Sequence, residues 1–314
     1  MIRRVLPFCA ALLSASSALA APKVVTTVVP VHSIVAAVMG ETGTPTLLLK
    51  GSMSEHRAVF TPAQIAELGQ ADLVFIVGHG LEAKLAQISG SETVNGKQFV
   101  ELSGAPGVKT LPIRQGGAWD AHHHDDDDDD DGDGDEHAAE GVLTFDPHVW
   151  LDPENAKAMA QEAAKDLSAA DPANAATYQA NAAAFSRQVD ETSARIAAEL
   201  APVKDKPFVV FHDAYQYFER RFGLSGAGSI SDVSARAPSA ERLAEVRDKI
   251  ASVKAACVFR EPQFDDKTVL TVIEGTGARE GVLDPVGANL TPGPDAYSQL
   301  LSNLAGNLKA CLSG

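Results

Sequence analysis

One amphipathic stripe in the second half of the sequence constrains the fold more than any other feature. Its members recur at spacings of three and four residues: Tyr178, Ala182, Phe185, Val189, Thr192, Ile196 and Leu200. The spacing predicts a single helix that begins at Asp171-Pro172 and continues for about thirty residues, or roughly 45 Å at 1.5 Å per residue. A helix of this length can run along two lobes and join them.

Strand and helix patterns alternate on both sides of this helix. The predicted strands are 23–29, 46–50, 73–77, 98–102, 208–211, 257–260 and 281–283. The predicted helices between them include 31–39, 214–221, 240–251, 266–274 and 294–312, and further helices are predicted to begin at Thr61-Pro62 and Asp152-Pro153. Such alternation is typical of parallel sheets covered by helices. The predicted fold class is therefore α/β, with two α/β lobes of mainly parallel sheet joined by one long rigid helix.

The first twenty residues have the pattern of a secretory signal peptide. Arg3 and Arg4 precede a short apolar run at 5–13, and Ala18-Leu19-Ala20 forms a small-x-small cleavage site. The apolar run is far shorter than the roughly 20 residues of a membrane span. We therefore expect a signal peptide at 1–20, cleavage before Ala21, export of the rest of the chain and no membrane insertion. The alternative is that this segment remains as a membrane anchor.

The predicted parts of the exported chain follow from the long helix. They are an N-terminal lobe at 21–170 that includes a disordered loop at 118–140, a linking helix at 171–203, and a C-terminal lobe at 204–314.

The acidity of the chain is concentrated in that loop. The formal net charge is −16, and it becomes −18 without Arg3 and Arg4. Residues 119–140 hold twelve acids and no Lys or Arg, so the rest of the exported chain carries only about −6. This charge disfavours nucleic acids and anionic membranes as partners and favours a cation.

The same loop carries a cluster of histidines beside seven consecutive aspartates. The histidines are His122, His123, His124 and His137. The aspartates repel one another, so we expect the loop to be disordered without a cation. Histidine-rich tracts bind metals, which predicts an accessory, weak metal collector. The alternative is a solvated insertion without a function.

Two cysteines remain once Cys9 leaves with the signal peptide. Cys257 falls in a predicted strand and Cys311 near the end of the last helix. An even number of cysteines in an exported protein favours a disulfide. A metal site built on the two cysteines is the alternative, although no C-x-x-C spacing is present.

Three further histidines lie at predicted strand ends or in the loops just after them. They are His56, His148 and His212. Open α/β sheets bind ligands at the ends of their strands. Any one of these histidines alone would be explained as an ordinary polar residue or a catalytic base. Three together, with a carboxylate or water as fourth ligand, suit tetrahedral Zn²⁺. Glu55, Asp284 and water are the candidates for the fourth position.

These residues lie in motifs that resemble a known family, the zinc-specific substrate-binding proteins of bacterial ABC importers, of the ZnuA type. The resemblance covers nearly the whole exported chain. The motifs that carry it are Ser54-Glu55-His56, Asp146-Pro147-His148-Val149-Trp150-Leu151, Val210-Phe211-His212-Asp213-Ala214-Tyr215, Cys257-Val258-Phe259 with Glu261-Pro262-Gln263-Phe264, and Leu283-Asp284-Pro285. The His/Asp-rich loop before the second motif histidine is also typical of the family.

The resemblance implies a specific ligand set. His56, His148 and His212 match the family's histidine ligands. Glu55 matches the glutamate that can take the fourth position, which water fills in some members. Asp284 matches the position of a carboxylate ligand in manganese-type relatives, and it remains the alternative. The resemblance further implies a C-shaped clamp with zinc between the lobes, and a disulfide between the two cysteines named above.

The expected function is high-affinity binding of Zn²⁺ in the periplasm and its delivery to the membrane permease of a zinc ABC importer. The protein is expected to be a monomer and not an enzyme. One alternative is a manganese or iron receptor of the same family. Another is an exported zinc hydrolase, with a metal-bound water and Glu55 as general base, although no H-E-x-x-H motif is present.

Overall fold

The structure, a computed structural model, describes residues 21–78, 80–89, 91, 94, 96–114 and 143–314. The predicted signal peptide at 1–20 lies outside the described residues. The loop at 118–140 does so too, with its candidate ligands His122, His123, His124 and His137. In the described ranges, no helix is both long and apolar enough to cross a membrane.

The first sheet contains four parallel strands in the order β2-β1-β3-β4. The strands are β1 (Val24–Thr26), β2 (Thr46–Leu47), β3 (Leu73–Ile76) and β4 (Gln98–Glu101). The helices of this lobe are α1 (Val29–Met39), α2 (Pro62–Gln70) and α3 (Ala83–Ser89). Every residue of β3 is buried, as expected for a central strand of a parallel sheet.

Two long helices follow the first sheet. They are α4 (Pro153–Ala170) and α5 (Ala175–Leu200). The seven buried residues of α5 are those of the predicted stripe, so that prediction is confirmed. The helix begins at Ala175 rather than at Asp171, because the backbone of Asn174 donates to the carbonyl of Asp171 at 3.2 Å and closes a 3₁₀ turn ahead of the helix. The Asp171 side chain also accepts hydrogen bonds from the Asn174 amide at 2.7 Å and the Tyr178 hydroxyl at 2.8 Å.

The second sheet is also parallel, in the order β6-β5-β7-β8. Its strands are β5 (Phe208–His212), β6 (Gly226–Ser231), β7 (Cys257–Arg260) and β8 (Arg279–Val282). Its helices are α6 (Gln216–Phe222), α7 (Ala240–Val253), α8 (Lys267–Ile273) and α9 (Ala296–Ser313). The two sheets confirm the predicted fold class of two α/β lobes.

Helix α5 joins the lobes, since it packs against α1 and α4, which follow strands of the first sheet, and against α9, which follows the second sheet. Buried polar contacts reinforce the junction. The Trp150 indole donates to the carbonyl of Pro285 at 2.8 Å, and the Tyr297 hydroxyl donates to the carbonyl of Trp150 at 2.7 Å. One continuous hydrophobic core therefore contains residues of both lobes and of α5.

Helix α3 and strand β6 have no counterpart among the predicted elements. Strand β6 reads Gly-Ala-Gly-Ser-Ile-Ser, which has no aromatic residue and only one β-branched residue, Ile230, so its signal for a strand is weak. Tertiary packing selects these small residues instead. A Cβ at Gly226 would lie 2.6 Å from the carboxylate carbon of Glu219, so a larger residue would displace that buried side chain.

The predicted disulfide is present between Cys257 and Cys311. It links strand β7 to helix α9 across 54 residues of sequence. Because both sulfurs are bonded to each other, they are not available as the metal ligands of the alternative interpretation.

Candidate metal centre

Four predicted site residues come together where the lobes meet. Glu55, His56, His148 and His212 each present one ligand atom, and these four atoms all lie within 4.8 Å of one another. Nε2 of His148 is 3.3 Å from Nε2 of His56 and 3.2 Å from Nε2 of His212. Oε1 of Glu55 is 3.7 Å from Nε2 of His56. Three ring nitrogens and one carboxylate oxygen therefore lie close enough together to surround one ion.

A buried aspartate orients His148. Oδ1 of Asp146 lies 2.8 Å from Nδ1 of His148 and 3.0 Å from its backbone nitrogen. Pro147, between the two, restricts the backbone and favours this tight arrangement. A carboxylate at Nδ1 places the ring proton there, so Nε2 of His148 carries a lone pair.

A second buried carboxylate orients His212, which is the last residue of β5. The oxygens of Glu261 lie 2.7 and 2.8 Å from Nδ1 of His212. Glu261 is fully buried and directly follows β7, the neighbour of β5 in the sheet. When His212 is neutral, its Nε2 therefore also presents a lone pair. The Nε2 lone pairs of the two neutral rings then face each other at 3.2 Å and repel, and a cation between them relieves the repulsion.

Glu55 and His56 come from a different kind of element. Both lie in the 3₁₀ turn Glu55–Arg57, in the loop between β2 and α2. The Glu55 side chain is only 3% exposed although it carries a carboxylate. A buried carboxylate is costly without a partner, so its position beside three imidazoles suggests a site built for a cation.

The environment shifts the pKa values of the four groups. Burial raises the pKa of Glu55 to about 7, against the opposing influence of His212. Burial and the neighbouring imidazoles lower the pKa of His56 and His148 well below the ordinary value. Burial acts to lower the pKa of His212, but the carboxylates of Glu261, Glu55 and Asp213 together raise it. At neutral pH, His56 and His148 are therefore neutral and able to bind a metal.

Asp284, the alternative fourth ligand, is not a member of this group in the described part of the chain. Its Oδ1 accepts from the Gln263 amide at 3.0 Å and the Gly287 backbone at 2.9 Å. Its Oδ2 accepts from the Ala288 backbone at 2.7 Å. Both oxygens thus hold the loop after β8 in place.

A buried ion-pair network lies beside His212 and connects the two lobes. Nε of Arg114 lies 3.0 and 3.1 Å from the oxygens of Asp213, and a second guanidinium nitrogen lies 2.7 Å from Glu219. Burial raises the pKa of Asp213 to about 6, although Arg114 opposes the shift. Arg114 thus attaches the N-terminal lobe to the residue that follows His212.

Three of these supporting residues were not predicted as part of the site: Asp146, Glu261 and Arg114. Asp146 and Glu261 do lie in motifs that are prominent in the sequence. Asp146 stands two residues before His148, and Glu261 follows a strand that the pattern placed correctly. The pairing of Glu261 with His212 depends on strand order, which the sequence pattern does not specify.

Comparison with known proteins gives a consistent result. The family described as "Zinc-uptake complex component A periplasmic" matches residues 24–311. The "High-affinity zinc uptake system protein ZnuA" of Brucella suis biovar 1 (strain 1330) is 45% identical over 307 residues, covering 92% of this chain and 91% of that protein. The protein of the same name from Paracoccus denitrificans (strain Pd 1222) is 37% identical over 306 residues, covering 93% and 92%.

A solved structure has the same fold. The crystal structure of a zinc-bound ZnuA deletion mutant superposes with a TM-score of 0.73 at 23% identity, covering 93% of this chain and 99% of that chain. The members of this family are solute-binding proteins and not enzymes. From the match over nearly the whole described chain and from these relatives, the chain belongs to the ZnuA family of periplasmic zinc-uptake components.

Proposed function

We propose that this protein binds one Zn²⁺ between its lobes through His56, His148, His212 and Glu55, and delivers it to the membrane permease of an ABC importer. The observation that carries the proposal is the convergence of four donor atoms within 4.8 Å, two of them on imidazoles with carboxylate partners at Nδ1. Metal-binding histidines usually donate their other ring nitrogen to such a partner.

The donor set favours zinc over manganese or iron. Three imidazoles and one carboxylate match a tetrahedral Zn²⁺ site, whereas Mn²⁺ prefers more carboxylate ligands. Asp284 is the carboxylate that would supply such a ligand, and its oxygens accept hydrogen bonds from the loop after β8. Four protein donors also leave no open position for a metal-bound water, which argues against the hydrolase alternative.

The proposal extends to the parts of the chain and its location. Residues 1–20 form a cleaved signal peptide, and the protein acts in the periplasm as a monomer without inserting into the membrane. The N-terminal lobe spans 21–170, the linking helix 171–203 and the C-terminal lobe 204–314. The His/Asp-rich loop at 118–140, with His122, His123, His124 and His137, collects metal at weaker accessory sites.

Calorimetric titration of the metal-free protein lacking residues 1–20 tests the proposed site. We expect one tight Zn²⁺ site, and we expect His212→Ala to weaken it by several orders of magnitude. His32→Ala is the matched control, since His32 is also buried but its ring contacts the carbonyl of Pro45 at 3.1 Å. Equal effects of the two substitutions would refute the proposed ligands.

A deletion of residues 119–140 separates the tight site from the loop. We expect the deletion variant to keep the tight site and to lose only weaker binding events in the same titration. If the tight site disappears with the loop, the assignment to His56, His148, His212 and Glu55 is wrong.

A further inference from the structure

The three histidines of the proposed metal site differ in the hydrogen bonds that hold their rings. His148 and His212 each have a buried carboxylate at Nδ1. His56 has no such partner: among the hydrogen bonds of the described residues, none engages its Nδ1. The third histidine must therefore be positioned by another contact.

The loop that carries His56 has few anchors of its own. On one side, the backbone of Leu49 donates to Thr27 at 2.9 Å, and on the other Thr61 caps α2. Between these points the backbone of Arg57 donates to Ser54 at 3.3 Å and closes the turn that bears Glu55 and His56. The exposed Gly51 has a φ of +64°, a backbone conformation that glycine adopts without strain.

Arg57 extends from this turn to the other lobe. Its guanidinium donates to the backbone carbonyl of Ala235, 178 residues further along the sequence, at 2.5 Å. Arg57 directly follows His56, so the contact connects the Glu55–Arg57 turn to the C-terminal lobe. A hydrogen bond with a charged donor is stronger than a neutral one.

The acceptor belongs to a well-braced loop at 232–236. Oδ1 of Asp232 accepts from the backbone of Ser234 at 3.0 Å, and its Oδ2 accepts from the Arg236 side chain at 2.8 Å. Ala235 is buried and has a φ of +53°, which a residue other than glycine rarely adopts without support from its surroundings. The loop thus holds the Ala235 carbonyl in one orientation.

We propose that Arg57 is a positioning residue that tethers the Glu55–His56 turn to the C-terminal lobe and slows release of the bound metal. The inference rests on the proposed function, since it concerns the same site. Arg57 does not itself touch the metal. Its contact with Ala235 holds two of the four donors against the other two, so the tether must break before the turn moves away with Glu55 and His56.

Stopped-flow measurement of zinc release into excess chelator tests this role. We expect Arg57→Leu to release zinc roughly tenfold faster than the unsubstituted protein, which corresponds to the loss of one hydrogen bond to a charged group. Arg57→Lys keeps a charged donor and should restore part of the slow release. Arg187→Leu is the matched control, since Arg187 is an exposed arginine on α5, and we expect no change.

A double-mutant cycle separates the tether from a simple effect of charge. Asp232→Ala removes the hydrogen bonds that hold the loop at 232–236 and should by itself accelerate zinc release. When it is combined with Arg57→Leu, the two effects should be less than additive, because both break the same contact. Additive effects, or release from Arg57→Leu at the original rate, would overturn the inference.

A spectroscopic control keeps this result distinct from the proposed function. The absorption spectrum of the Co²⁺-loaded protein should be the same for Arg57→Leu and the unsubstituted protein, since the four ligands are unchanged, and a different spectrum would overturn the role assigned to Arg57. If Arg57→Leu does not alter release while the protein binds one zinc with the unchanged ligands, only the tether is wrong. If the unsubstituted protein binds no stoichiometric zinc, the proposed function itself fails.

Discussion

At the scale of single residues, the proposed site depends on carboxylates that do not point at its centre. Asp146 and Glu261 contact Nδ1 of His148 and His212, and so orient the Nε2 lone pairs. Both carboxylates are buried, and the pKa of Asp146 rises to about 7 because burial disfavours its charge. A bound dication would favour the ionised form of such groups.

Zinc affinity should fall on acidification, beginning near pH 7. Binding requires a neutral His212 and an ionised Glu55, and the pKa of each is raised, that of Glu55 to about 7. Protons therefore compete with the metal as the pH falls through these values. Competition with a chelator of known affinity between pH 5.5 and pH 8 measures the effect. An affinity that stays constant down to pH 5.5 would exclude these two donors.

Replacing Glu261 with glutamine tests how His212 is oriented. We expect zinc affinity at pH 8 to fall by about 10- to 100-fold, as is usual when the partner of a metal-binding histidine is lost. The fall of zinc affinity on acidification should also begin at a lower pH, because the Glu261 charge, which raises the pKa of His212, is gone. Glu280→Gln, at a more exposed carboxylate on β8, is the control.

Glu55 should reduce the stability of the metal-free protein above neutral pH. A carboxyl whose pKa is raised in the folded state stabilises the folded protein fully when the pH is below the unfolded pKa of 4.5. This stabilisation is lost as the pH rises through the folded pKa of about 7. Glu55→Gln should therefore increase the free energy of unfolding at pH 8 by on the order of 2 kcal/mol, with little change near pH 4.5. Urea unfolding at the two pH values measures this, and a destabilised variant at pH 8 would contradict it.

At the scale of elements, the disulfide between β7 and α9 supports the side of the site that carries Glu261. Cys257 is the first residue of β7, and Glu261 directly follows the strand's last residue. Helix α9 also packs on α5, so the disulfide attaches the second sheet to the helix that joins the lobes.

Loss of this disulfide should reduce stability without removing the metal ligands. The two cysteines lie 54 residues apart, and closing a loop of that size stabilises by roughly 4 kcal/mol in the chain-entropy model. We expect the Cys257→Ala/Cys311→Ala variant to unfold at a markedly lower temperature in calorimetry, while still binding one zinc. A reduced sample of the unsubstituted protein should behave similarly, and unchanged melting in both would contradict the prediction.

Some helices and strands could be predicted from the sequence and others could not. Helix α5 was predicted with all of its buried residues, because a periodic stripe on one helix face is a local signal. Strand β6 was missed, because its glycines and serines have little intrinsic preference for a strand. Its pairing with β5, where Ser231 lies opposite His212, determines its conformation.

At the scale of the whole molecule, zinc should stabilise the two lobes together. The proposed ligands include residues 92 and 64 positions apart in the sequence, so unfolding of either lobe destroys the site. At a free zinc concentration 1,000 times the dissociation constant, binding to the folded state alone adds about 4 kcal/mol. Calorimetric melting with and without zinc should show this increase, and His212→Ala should abolish it. A chelator should reverse the shift.

The sequence by itself predicted the fold class, the joining helix, the disulfide and the three histidines of the proposed site, and it left the fourth ligand open between Glu55, Asp284 and water. These follow from local periodicity, from residue chemistry and from motifs that resemble one family. The tertiary structure decided which carboxylates orient His148 and His212, that the oxygens of Asp284 hold a loop, and that Arg57 reaches Ala235. The contacts of Glu261 with His212 and of Arg57 with Ala235 join residues that strand order and lobe packing bring together, and no local pattern encodes those distances.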